Sequence, residues 1–136
     1  MLLKEIGVEA GPEVRQIVAV VDRDHPLIWS EQMMPIMPVC KVRHADEAID
    51  LAVRAEHGFR HTAVMHSKNL DNLSRMAREI NCSIFVKNGP CLAGLGLGGE
   101  GFCSFTIASP TGEGITSPRS FSRIRRCVLV DSFRIV

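Results

Sequence analysis

No stretch of the 136-residue sequence approaches the ~20 consecutive apolar residues that a membrane-spanning helix requires. Charge of one sign is not in excess either. Sixteen Lys and Arg stand against fifteen Asp and Glu, so net charge alone draws the chain neither to nucleic acid nor to an anionic membrane. Arg119, Arg123, Arg125, Arg126 and Arg134 do crowd the C-terminal end, where a solvated or salt-bridged face is expected ahead of a phosphate-binding patch. Cys-x-x-Cys is missing although there are five cysteines (Cys40, Cys82, Cys91, Cys103 and Cys127), which argues against zinc-ribbon and thioredoxin-type chemistry. Several lie in apolar runs, where a free thiol behaves as a small hydrophobe. The odd count and the want of a secretory leader point to a reducing cytoplasm. His-Glu-x-x-His is absent too. Among His25, His44, His57, His61 and His66 only His57 and His61 stand four apart, and they straddle Gly58, so no metal site is expected. There is no internal repeat and no low-complexity tract.

What is present is enough apolar content, 46% of residues, for the core of one domain. A chain this long buries roughly two-thirds of its unfolded surface. Residues 1–11 read as the end of a helix that begins outside the chain, with Leu2, Leu3 and Ile6 as one face and Gly7 or Gly11 as the stop. Residues 14–21, rich in valine and isoleucine, predict a strand. Pro26, Pro35 and Pro38 forbid a long helix or a central strand over 25–38. A short strand is expected over 39–42 and a helix over 46–56. Asp46 and Glu47 suit its positive end, Ala48, Leu51, Ala52 and Ala55 form its apolar face, and Gly58 ends it. A strand over 62–66 follows.

Leu70, Leu73, Met76, Ala77 and Ile80 carry the clearest helical period, with Ser67 or Asn69 as the cap and Asn81 as the end. Then come a strand over 83–87, a glycine-rich loop over 88–101, an extended stretch over 103–108, a loop over 110–118 and a terminal pair of short strand segments over 126–136. Strands alternating with helices predict an α/β fold with parallel pairing.

Gly94-Leu95-Gly96-Leu97-Gly98-Gly99 formally matches Gly-x-Gly-x-x-Gly. A dinucleotide site needs that pattern between a strand and a helix whose amides meet the pyrophosphate. Phe102-Cys103-Ser104-Phe105-Thr106 downstream has no helical period, so the glycines read as a tight loop bordering a cavity at most. Cys91, in Asn88-Gly89-Pro90-Cys91, has Lys87 nearby but no clear helix to lower its pKa, and reads as a structural or pocket-lining thiol. Glu31 stands among three methionines and two prolines in Ser30-Glu31-Gln32-Met33-Met34-Pro35-Ile36-Met37-Pro38. A lone carboxylate in apolar company must be solvated, paired or engaged with a ligand.

Ser30-Glu31-Gln32-Met33-Met34-Pro35-Ile36 resembles the Glu-x-Phe-Gly-Pro-Val segment of the aldehyde dehydrogenase superfamily. The stretches His61–Asn69, Ser83–Pro90, Ala93–Gly101, Pro110–Gly114 and Arg125–Asp131 resemble its CoA-acylating branch, the acetaldehyde and propionaldehyde dehydrogenases of ethanolamine and propanediol utilisation.

The resemblance covers the whole chain and corresponds to roughly the last third of such an enzyme. It implies the C-terminal part of the catalytic domain over residues 1–125 and an oligomerising strand segment over 126–136. The implied chemistry is thiolate attack on an aldehyde, hydride transfer to NAD and acyl transfer to CoA, in a cytoplasmic homo-oligomer or inside a bacterial microcompartment. The family's nucleophilic cysteine and Rossmann domain would lie upstream, so this chain alone is expected to be inactive. Glu31 matches the glutamate that hydrogen-bonds the nicotinamide ribose, Met33 stands where phenylalanine is usual, and Asn88, Gly89, Pro90, Cys91 and Leu92 match the loop lining the aldehyde pocket. Two alternatives are a non-catalytic oligomerising or scaffolding module that joins a full-length dehydrogenase, and an independent enzyme using Cys91 with His61 or His66 as base.

Overall fold

In the computed structural model of the chain the described residues are 2–99, 116–128 and 130. They fall into two compact units, Met1–His57 and Gly58–Val136.

The first unit opens with α1 (Leu2–Glu5), which stops where Gly7 takes a φ of +73°. β1 (Ile17–Val20) and β2 (Ile36–Val39) pair in parallel, Ile17 opposite Ile36 and Val20 opposite Val39. Parallel strands need a crossover. Here it contains one helical turn, α2 (Pro26–Trp29), with Pro26 pre-setting its first φ and His25 Nδ1 accepting from the Leu27 N–H at 3.1 Å.

β2 comes three residues earlier than the sequence predicts and includes Pro38. The hydrogen-bond alternation explains this. Pro35 O and Val39 O accept from Ile17 N and Val21 N at 2.8 and 2.9 Å, so odd-numbered residues face β1 and Pro38's missing donor points away.

α3 (Ala45–Ala55) follows with His44 as its cap, its side chain accepting from Glu47 N. The helix ends at Glu56, and His57 and Gly58 both take left-handed φ, +56° and +79°. Its most buried side chain is Ile49, outside the predicted face, and Leu51 is buried with it while Ala48, Ala52 and Ala55 are half-buried.

The second unit is a βαβ crossover. β3 (Thr62–Met65) and β4 (Ile84–Lys87) pair in parallel, Thr62 opposite Ile84, and α4 (Leu70–Ile80) connects them. Asn69 Oδ1 accepts from Asp71 N and Asn72 N at 2.9 and 3.0 Å, and Asn81 ends the helix at φ +48°. The buried stripe is Leu73, Met76 and Ile80; Leu70 and Ala77, predicted to share it, are exposed. Ile84 and Val86 are buried with Val64 and Ala93 packed on them.

The glycine-rich stretch is not loop throughout, because Cys91–Leu95 forms a 3-10 helix. A Cβ at Gly94 would stand 2.6 Å from Ile84 Cγ2, so only glycine lets this turn press against β4. Gly96 closes it at φ +90°. A second 3-10 helix, Pro118–Phe121, begins where the expected loop ends. The extended stretch over 103–108, residues 110–115 of that loop, and Leu129 and 131–136 of the terminal strand segment lie outside the described residues. Residues 126–128 and 130 are in no strand among the described residues, where no neighbouring edge pairs with them.

Candidate functional site

Glu31 lies on the turn that joins α2 to β2, and both sides of that turn are pinned. On the α2 side Trp29 is held from several directions. Its indole N–H donates to Arg23 O at 2.9 Å, and its own carbonyl accepts from His57 Nε2 at 3.1 Å. The His57 ring meets it edge-on with centroids 6.0 Å apart, and the Arg54 guanidinium lies 5.2 Å from its ring centroid. On the β2 side Ile36 N donates to Met34 O at 2.7 Å.

Between them Gln32 is half-buried and folds back, its Nε2 donating to Leu27 O at 3.0 Å and to Ser30 O. Its neighbours are exposed. Met33 takes φ +45°, uncommon for any residue but glycine, and its side chain is 91% exposed. The Glu31 carboxylate has no hydrogen-bond or ion-pair partner among the described residues.

In the second unit the loop over 88–92 is anchored by its first residue. Asn88, at φ +56°, pairs its carboxamide with one peptide edge: Oδ1 accepts from Ser67 N at 2.7 Å and Nδ2 donates to Ser67 O at 2.9 Å. Its backbone N–H donates to Met65 O at 3.0 Å, so Asn88 prolongs the β3–β4 pairing. Ser67 Oγ in turn accepts from Asn69 N at 3.0 Å, linking the loop to the start of α4. Asn88 therefore shapes the loop, and Pro90, Cys91 and Leu92 are exposed on it along with Asn88 itself. Gly89 is half-buried against Ala93 and Val86. The Cys91 thiol has no hydrogen-bond partner among the described residues, and His61 instead stacks on Phe59 with centroids 6.1 Å apart.

A feature the sequence reading passed over is a cleft of about 1130 Å³ at the C-terminal ends of β1 and β2, lined by Asp22, Arg23, Asp24, Lys41, Arg43 and Glu47 among others. Glu47 organises it, meeting Arg23 at 3.2 Å and Arg43 at 3.1 Å. The Arg43 backbone N–H, then its guanidinium, hold the Glu47 carboxyl below its ordinary value of 4.5. The spacing Arg43 to Glu47, one helical turn, was the available signal. None of the predicted site residues lines this cleft. No group of three or more His, Cys, Asp or Glu among the described residues is placed to hold a metal ion, and no helix among them is long and apolar enough to cross a membrane.

The profile of the aldehyde dehydrogenase family matches residues 14–100, which take in Glu31, Met33 and the loop over 88–92. The chain is 56% identical over 131 residues to the acetylating acetaldehyde dehydrogenase EutE of Salmonella typhimurium, a match covering 96% of this chain and 28% of that protein. Among solved structures it resembles propionaldehyde dehydrogenase of Rhodopseudomonas palustris with bound propionyl-CoA, at a TM-score of 0.83 and 52% identity, over 94% of this chain and 28% of the other. An engineered glycolyl-CoA reductase with bound NADP+ superposes equally well, at a TM-score of 0.83 and 52% identity, over 94% and 29% of the two chains. The chain thus spans between a quarter and a third of the length of the proteins it matches.

Proposed function

The chain belongs to the aldehyde dehydrogenase family, and on that premise we propose that each of its two units contributes binding residues to a CoA-acylating enzyme, which turns an aldehyde, CoA and NAD into acyl-CoA and NADH. A nicotinamide nucleotide, when bound, accepts the hydride of aldehyde oxidation. The residues of this chain bind and orient. The Glu31 carboxylate, with no partner among the described residues, accepts hydrogen bonds from the paired hydroxyls of a ribose. Met33 offers an unbranched apolar side chain beside it. Pro90, Cys91 and Leu92 give an apolar border to a small aldehyde, held in place by Asn88.

No nucleophile is assigned to this chain. Cys91, the cysteine closest in sequence to the proposed pocket, has no base hydrogen-bonded to it among the described residues. The reactive sulfur and the nucleotide platform belong to the part of the enzyme that this chain does not match.

The observation that carries the reading is the exposed Glu31 carboxylate, without a partner among the described residues, on a pinned turn inside the family-matched segment. The test is reassembly. The purified chain alone gives no aldehyde- and CoA-dependent NADH. Co-expressed with the upstream two-thirds of a related acetylating dehydrogenase it restores turnover, and E31A lowers the restored kcat by ~10- to 100-fold through a misplaced ring. Turnover by the chain alone, or an E31A assembly as active as wild type, refutes the assignment.

A second reading, a non-catalytic piece that associates with an intact dehydrogenase, is favoured by the exposure of Ile124, Val128 and Val130. Co-purification with such an enzyme without any change in its activity distinguishes it.

A further inference from the structure

We infer that Gln32 is a positioning residue for the Glu31 site: its carboxamide, donated to the backbone carbonyls of Leu27 and Ser30, sets the turn that presents Glu31 and Met33. The inference rests on the assignment of those two residues to the nucleotide. Its test reads conformation and not binding, so either can fail alone.

A single helical turn such as α2 has no internal reserve of stability, and its last carbonyls lack intrahelical donors. Ser30 N–H closes back on Pro26 O at 3.1 Å, which leaves Leu27 O and Ser30 O for other donors. Gln32 Nε2 has two hydrogens, and it reaches both. With residue 32 drawn inward, residues 31 and 33 are left exposed on the outer side of the turn. Met33 is then held at φ +45°, a conformation that an unbranched residue keeps only when its surroundings impose it. The chain leaves that kink directly into β2, where Pro35 O accepts from Ile17 N at 2.8 Å. Gln32 ties the turn back to the end of α2 through its side chain, whereas Trp29 fixes only the near end.

The role is that of a hydrogen donor, and two variants of similar length separate it from simple space-filling. Q32M keeps the volume and has no donor; Q32K keeps donors and has no acceptor. In the isotope-labelled 136-residue chain, the three-bond HN–Hα coupling of Met33 and the amide exchange of residues 33–36 report the turn. Fluorescence of Trp29, the single tryptophan, reports α2. Q32M shifts the Met33 coupling toward the extended range and speeds amide exchange at least tenfold, while Q32K keeps the wild-type values and Trp29 emission stays fixed in both. If Q32M also disturbs Trp29, Q32K decides: retained Met33 coupling supports the role and its loss overturns it. Equal behaviour of the two variants, or an unchanged turn in Q32M, overturns it as well.

Discussion

Asn88 illustrates how one side chain takes on a role that its sequence context disguises. Read in line with Gly89 and Pro90, it looks like part of a pocket lining; folded, both ends of its carboxamide are hydrogen-bonded to Ser67 and its φ is left-handed. Two consequences can be separated by substitution. N88A leaves the Ser67 N–H and C=O without their partner and keeps a Cβ in the left-handed region, for a loss of about 1–3 kcal/mol. N88G loses the same bonds but is at ease at φ +56°, so it is less damaging than N88A by about 1 kcal/mol. Urea unfolding of the three chains measures both differences. If N88A is as stable as wild type, the carboxamide is not holding the loop. Glu31 stands in sequence among methionines and prolines, which poses the question of its partner. What sequence could not convey is that the acid has no partner among the described residues, since that depends on which side chains fold toward it.

At the scale of elements, α4 was the most legible, although Leu70 and Ala77 fall outside its buried stripe. Its apolar period, the Asn69 cap and the left-handed Asn81 are local, and local preferences that agree with one another survive folding. β2 was displaced by three residues because the proline rule concerns only the edge that needs a donor, and which edge faces β1 is a matter of register. The 3-10 helix Cys91–Leu95 was hidden because glycine-rich sequence has no apolar period, and it forms by packing Gly94 on Ile84.

α3 carries a prediction of its own. Glu47, in its first turn, is held below its ordinary value of 4.5 chiefly by the Arg43 backbone N–H. A carboxyl whose folded value is depressed contributes stability that is complete above the unfolded value and lost as pH falls through the folded one. Thermal melts followed by helical circular dichroism should therefore show wild type ahead of E47Q at neutral pH. The two should converge below pH 4.5, and the gap should shrink with added salt because Arg23 and Arg43 are exposed. A pH-independent gap would mean that Glu47 acts by packing instead.

For the molecule as a whole, the telling feature is apolar surface left uncovered. Val18 and Val20 alternate outward on β1, and Met37 stands opposite Val18 on β2, so the three share one exposed face of the first unit. Phe121, Ile124, Val128 and Val130 are exposed in the second. Monomeric soluble proteins rarely leave such patches contiguous over more than a few hundred Å². The purified chain is therefore expected to self-associate at concentrations on the order of tens of micromolar. The V18K/V20K double variant should reduce this in sedimentation velocity while leaving the circular dichroism unchanged, since exposed positions tolerate such changes within about 0.5 kcal/mol. A monodisperse wild-type chain would show that these residues are not a covered face.

The residues alone determined the alternating α/β order, the end of α4 at Asn81, and membership of the dehydrogenase family, because each depends on neighbours within a few positions or on a pattern of residue identities. Tertiary structure decided which strand edge meets Pro38, that Asn88 serves the backbone, that Gly94 admits a helical turn against β4, and that Glu31 meets no partner among the described residues. Each of these is a contact or a vacancy between segments distant along the chain, and the physical quantity that fixes it, the distance of one atom from another across the fold, has no counterpart in residue order.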